Sequence, residues 1–189
     1  MQGLSNSFRT LVLLSLSICI VSIGGFLEPT LQFELALAPR NTQQWWGLVT
    51  HVFVHRDWAH LASNLPPLIV FLVLIGLRNA RYLVLCLVLS IIISAAILWL
   101  IGRPGMHIGA SGLVFALFGV IVGNALFYRA LFDILIAGVV FALYGGLLFG
   151  ILPSDPHISW EGHLAGLIGG VAVSWILARR AATSNPSKY

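Results

Sequence analysis

Residues 104–128 read PGMHIGASGLVFALFGVIVGNALFY, a run between Arg103 and Arg129 that holds no Asp, Glu, Lys or Arg. A stretch of this length crosses the ~30 Å hydrocarbon core of a bilayer, where only a helix or a closed barrel satisfies its own backbone hydrogen bonds. Five further stretches are free of formal charge in the same way: 10–27, 58–77, 82–102, 134–154 and 162–178. The chain as a whole is 59% apolar and 8% charged, which excludes an ordinary water-soluble domain.

The expectation is therefore an all-α membrane protein of six transmembrane helices, with spans near 10–27, 58–77, 82–102, 109–128, 131–152 and 160–178. They belong to one domain over 1–182, followed by a disordered tail over 183–189 that is polar and carries a proline. A seventh uncharged run, 41–55, is too short to span; with Trp45, Trp46, His51 and His55 it reads as an interfacial or re-entrant outer loop against the bundle's outer surface. The first run, with Arg9 before it and Gly24 and Gly25 near its end, is read as an uncleaved span, since no A-x-A-like site follows.

Charge sets the orientation. With a cytoplasmic N-terminus, Arg9, Arg78, Arg81, Arg129, Arg179, Arg180 and Lys188 face inward, against Arg40, Arg56 and Arg103 outside, as the positive-inside rule requires. Both termini are expected inside. The sequence pI of 9.6 does not signal nucleic acid, because the basic residues stand at span ends and not in a patch. Cys19 and Cys86 fall inside spans, so neither a disulfide framework nor a metal knuckle is expected.

Polar side chains in a membrane are costly, which makes His60, Asn64, Ser111 and His163 functional candidates. All four stand near the outer starts of the second, fourth and sixth spans, hence at one face of the membrane. His60 and Asn64, four residues apart, share a helix face. Ser111 lies between Gly109 and Gly112, and His163 between Gly162 and Gly166, which Gly170 follows. These small residues, with Ala116, Gly119 and Gly123, let spans four and six approach closely enough to pair Ser111 with His163. The imidazole then takes the hydroxyl proton during attack on a carbonyl, while His60 and Asn64 supply oxyanion donors.

Glu161, two residues before His163, points away on a helix and is assigned a loop or rim role; His107 and His157 are read as solvated loop residues. His51 and His55 resemble a zinc pair in spacing, yet no third ligand is placed and no H-E-x-x-H occurs, so packing of the outer loop is preferred. Leu113 occupies the second glycine position of a G-x-S-x-G elbow, which removes an α/β-hydrolase reading.

With these residues in place, the chain resembles the rhomboid intramembrane proteases from about Trp45 to Arg180 and in its first span. Gly109-Ala110-Ser111-Gly112 is similar to the family's G-x-S-G motif, His60-Leu61-Ala62-Ser63-Asn64 to its H-x-x-x-N, and His163 with Ala165-Gly166 to its sixth-span histidine. The resemblance implies a rhomboid-like bundle with a Ser111–His163 dyad and an oxyanion hole from His60, Asn64 and the Ser111 amide. It implies no metal or organic cofactor, and as substrates single-span membrane proteins, cleaved near the extracytoplasmic side; the partners expected are these and the lipid bilayer, with no nucleic acid, and a bacterial plasma membrane is expected because the chain is minimal and shows no transit peptide. A catalytically inactive client-binding protein is the alternative, and a small transporter a third reading that lacks a continuous polar row. Two positions depart from the family pattern: Gly47 stands where many members have Arg after Trp, and Phe115 where several have Tyr against the histidine ring.

Overall fold

The computed structural model describes residues 2–153, 155 and 158–184. His157 and residues 185–189 of the expected tail lie outside the described residues. The α-helices are α1 (Gln2–Leu27), α2 (Thr30–Leu35), α3 (Gly47–Thr50), α4 (Trp58–Gly76), α5 (Ala80–Ile101), α6 (Ser111–Phe127), α7 (Leu131–Tyr144) and α8 (Trp160–Ser184). Three 3-10 segments join them: Thr42–Gln44, His51–Phe53 and Gly145–Ile151.

Five of these helical stretches are long and apolar enough to cross a membrane: Leu4–Leu27, Trp58–Gly76, Ala80–Ile101, Leu131–Ile151 and Trp160–Thr183. The fourth expected span is different. It is α6, apolar but only 17 residues long, because Gly109 takes a positive φ and the helix cannot begin before Ala110. The stretch Leu131–Ile151 leaves α-helical geometry at Gly145 and tightens into 3-10 turns before Pro153, while α8 runs on to Ser184, so Thr183 and Ser184 are helical and not part of a tail.

The short α6 is the hub. Nine consecutive residues, Leu113 to Ile121, are buried, and α4, α5, α7 and α8 all pack on it. The closest pair is α6 with α8, and glycine makes it possible. A Cβ on Gly119 would sit 2.5 Å from the Leu167 carbonyl, and one on Gly170 would collide with the Ala116 carbonyl. Gly166 likewise lies against the Gly112 carbonyl, and Gly123 against Ser174. The backbones touch where side chains elsewhere hold helices apart, which is the small-residue mode of membrane helix packing. By contrast, Leu131, Leu135, Val139 and Leu143 of α7 are exposed, an outward apolar face in keeping with lipid.

The segment 41–55 rests on the outside of the bundle only in its first part, where Trp45, Trp46 and Val49 are exposed. Val52, Val54 and His55 are buried, and its turns pack on α1, α5 and α6, because its apolar and imidazole side chains fill the gap between the ends of those helices. Gly47 is enclosed there as well: a Cβ at this position would strike the Ala36 carbonyl. The loop is thus built around the absence of a side chain at 47, and Arg40 reaches from the same loop to the Leu100 carbonyl at 3.0 Å. At the opposite end of the bundle, Arg78 pairs with buried Asp133 and lies over the Tyr82 and Tyr128 rings, tying α4 and α5 to α7.

Candidate active site

Helix α4 begins at an Asp57 cap, whose carboxylate accepts the His60 N–H at 2.8 Å. The Arg56 side chain and that N–H hold the Asp57 carboxyl below its usual range. The cap fixes the first turn of α4, so that His60 and Asn64 both face a cavity of about 710 Å³ together with Ser111, Phe115 and His163. Asn64 is buried, and its Nδ2 donates to the His60 carbonyl one turn back at 2.6 Å.

Gly109 explains how the serine is presented. Its φ of +112° turns the chain sharply ahead of α6, and a Cβ there would lie 2.6 Å from His60 Cε1. The bare Gly109 backbone therefore seats the His60 ring beside the loop that leads into Ser111. His55, fully buried, holds the loop from behind: its Nε2 accepts the Ala110 N–H at 3.1 Å and its Nδ1 lies 2.9 Å from Ser22 Oγ on α1. The backbone of His51 adds a bond from the Gly109 N–H at 2.9 Å, and its Nδ1 lies 2.8 Å from the Gly47 carbonyl. Burial pushes His51 down to about 4 and His55 down to about 3. Both rings are neutral at pH 7 and bound within the fold, as the packing role requires.

Ser111 opens α6, and His163 sits in the first turn of α8. Ser111 Oγ and His163 Nε2 are 2.9 Å apart. His163 Nδ1 lies 2.8 Å from the carbonyl of Gly150, in the 3-10 segment Gly145–Ile151 that follows α7. A carbonyl only accepts, so Nδ1 carries the proton and Nε2 turns its lone pair to the serine hydroxyl. Phe115, one turn after Ser111, stacks on the imidazole with ring centroids 4.3 Å apart and planes at 7°. The first N–H groups of α6 have no acceptor inside the helix, as at any helix start.

Glu161 is 3% exposed and lies 3.5 Å from Arg103 Nε, a contact to the 102–110 loop against which the first turn of α8 packs. His107 is buried, not solvated: its ring is enclosed between Ser159 and the Arg103 carbonyl, and its backbone pairs with Leu37. The carbonyl of Gly150 carries no side-chain signature and was not legible as a partner of His163. Among the described residues, no three His, Cys, Asp or Glu side chains gather as a metal group.

A bundle of apolar helices long enough to cross a membrane, with Ser111 and His163 in contact over one cavity, has the character of an integral membrane protein. The sequence profile of the Rhomboid domain matches residues 42–180, so the chain belongs to the rhomboid family. It is 34% identical to an uncharacterized protein of Mycobacterium tuberculosis over 75% of this chain and 63% of the relative. It is 30% identical to the rhomboid-like protein 11, chloroplastic, of Arabidopsis thaliana, over 74% of this chain and 55% of that protein. A Bacillus subtilis relative named "Putative rhomboid protease YdcA" is 29% identical over 72% of this chain and 69% of its own. The chain thus spans less than two thirds of the length of the mycobacterial relative.

Proposed function

We propose that this protein is an intramembrane serine endopeptidase that cleaves single-span membrane proteins near the extracytoplasmic face. The observation that carries this reading is the 2.9 Å contact of Ser111 Oγ with a histidine whose tautomer is set for proton acceptance by the Gly150 carbonyl. The polar cavity around them supplies what hydrolysis needs in a membrane, a place for water and for an unwound peptide.

In the reaction, Ser111 Oγ attacks the scissile carbonyl carbon as its proton passes to His163 Nε2. The imidazolium formed keeps its Nδ1–H on the Gly150 carbonyl, which here stands where other serine hydrolases use a carboxylate. Negative charge collects on the former carbonyl oxygen. His60, Asn64 and the Ser111 backbone N–H donate to it, each such donor contributing roughly 3 kcal/mol in a preorganised site. His163 returns the proton to the leaving amine, leaving an acyl group on Ser111. A water molecule deprotonated by His163 then releases the second product.

The fold is read as six spans, α6 counted as the fourth: at 17 residues it is about 26 Å long, just short of the hydrocarbon core. Ser111 then lies slightly within the membrane, with both chain termini cytoplasmic and the cavity opening outward, in a bacterial plasma membrane. A client co-reconstituted in liposomes with the purified protein tests the reading. The wild type cleaves it and Ser111→Ala leaves it whole; cleavage by Ser111→Ala at the wild-type rate contradicts the assignment.

A further inference from the structure

Outside the residues used above, His107 and Ser159 form a second bridge between the two segments that carry Ser111 and His163. His107 Nδ1 and Ser159 Oγ are 2.6 Å apart. His107 Nε2 lies 3.1 Å from the Arg103 carbonyl, an acceptor only, so Nε2 holds the proton and Nδ1 accepts from the Ser159 hydroxyl. Ser159 Oγ in turn accepts the Gly162 N–H at 3.2 Å, and the Ser159 carbonyl accepts the His163 N–H at 3.1 Å. On the other side, the His107 backbone pairs with Leu37 in both directions at 2.9 Å. Every hydrogen-bonding group of the bridge thus has one defined direction.

The placement is parallel to the dyad. His107 precedes Ser111 by four residues, and Ser159 precedes His163 by four. Two short hydrogen bonds, 2.6 Å and 2.9 Å, therefore join the same two segments one step apart. The glycine contacts of α6 and α8 are tightest at Gly166, Gly119 and Gly170; at the start of α8, which follows a loop, a Cβ on Gly112 would meet the Gly162 carbonyl only at an ordinary 3.4 Å. A displacement near 1 Å between nucleophile and base costs about a hundredfold in rate, so that end needs its own restraint.

We propose that His107 and Ser159 are positioning residues: their hydrogen bond holds the start of α8 against the 102–110 loop and thereby sets the Ser111–His163 distance. This rests on the protease reading. Arg103 joins the same segments, its Nη2 donating to the Ile158 carbonyl at 2.6 Å, so removing the Ser159 hydroxyl loosens the junction without opening it.

The test is the kinetics of Ser111 labelling by a fluorophosphonate in purified full-length protein, resolved into the maximal labelling rate and the probe's apparent binding constant. Ser159→Ala lowers the maximal rate about tenfold with unchanged probe binding, and Ser159→Thr, which restores a hydroxyl, recovers most of it. Ser17→Ala, a hydroxyl deletion on α1 whose partner is the Leu13 carbonyl, labels like wild type. Should Ser159→Ala not fold, Ser159→Cys carries the same comparison, with a weaker donor in nearly the same volume. Labelling of Ser159→Ala or Ser159→Cys at the wild-type rate overturns the bridge. A wild type that does not label overturns the protease reading, and the bridge with it.

Discussion

His163 Nδ1 and the Gly150 carbonyl are 2.8 Å apart, across the junction between α8 and the 3-10 segment before it. This bond gives the imidazole one tautomer and one orientation without any acidic side chain. Glu161, the nearest carboxylate in sequence, is turned toward Arg103 instead.

The contact predicts that Gly150→Ala is harmful out of proportion to its size. A Cβ at this position lies 3.1 Å from both His163 Nδ1 and Phe115 Cζ, too close for either ring to stay in place. Fluorophosphonate labelling of Ser111 falls about tenfold, as expected for a base displaced by a fraction of an ångström, while the unfolding midpoint changes little. Wild-type labelling of Gly150→Ala contradicts the role given to this carbonyl.

Restoring the commoner family residue at position 47 is predicted to be destabilising. The Ala36 carbonyl occupies the space that the Cβ of an introduced arginine needs, so Gly47→Arg forces the 41–55 loop off α1 and α5. Overpacking of this kind costs about 1–3 kcal/mol. A thermal unfolding midpoint at or above the wild-type value argues that the loop accommodates the side chain.

Acid is predicted to weaken the fold through His51 and His55. Their folded pKa values, about 4 and about 3, lie below the unfolded value near 6.5, so the unfolded chain binds more protons in between. Stability is complete above about pH 6.5 and falls as pH drops toward 4, by up to about 1.4 kcal/mol per pH unit for each ring. Unfolding midpoints measured from pH 7.5 to 4.5 show the slope, and His55→Gln, which does not gain a proton, reduces it. An unaltered slope in His55→Gln places the acid sensitivity elsewhere.

Much of the architecture was legible because lipid imposes a severe rule on composition. Charge-free runs at 58–77 and 82–102 became α4 (Trp58–Gly76) and α5 (Ala80–Ile101), and the glycines of α6 and α8 announced a close crossing. That crossing is also why Ser111 and His163 meet. What could not be read were features that depend on where backbone lies in space. Gly150 offers His163 a carbonyl, which every residue has, and His107 looked solvated because only the folded loop encloses it between Arg103 and Ser159. The 41–55 segment was placed outside the bundle for a related reason: its length says that it does not span, but not that Val52, Val54 and His55 fill the space between other helices.

The central claim is that Ser111 is activated by His163. Labelling the folded, detergent-solubilised protein with a fluorophosphonate probe tests it most directly, comparing wild type with Ser111→Ala and His163→Ala. The account predicts a labelled wild type, no label on Ser111→Ala, and at least a hundredfold slower labelling of His163→Ala, roughly the contribution of a positioned general base. Wild-type labelling that survives in His163→Ala, or a folded wild type that takes no label, contradicts it.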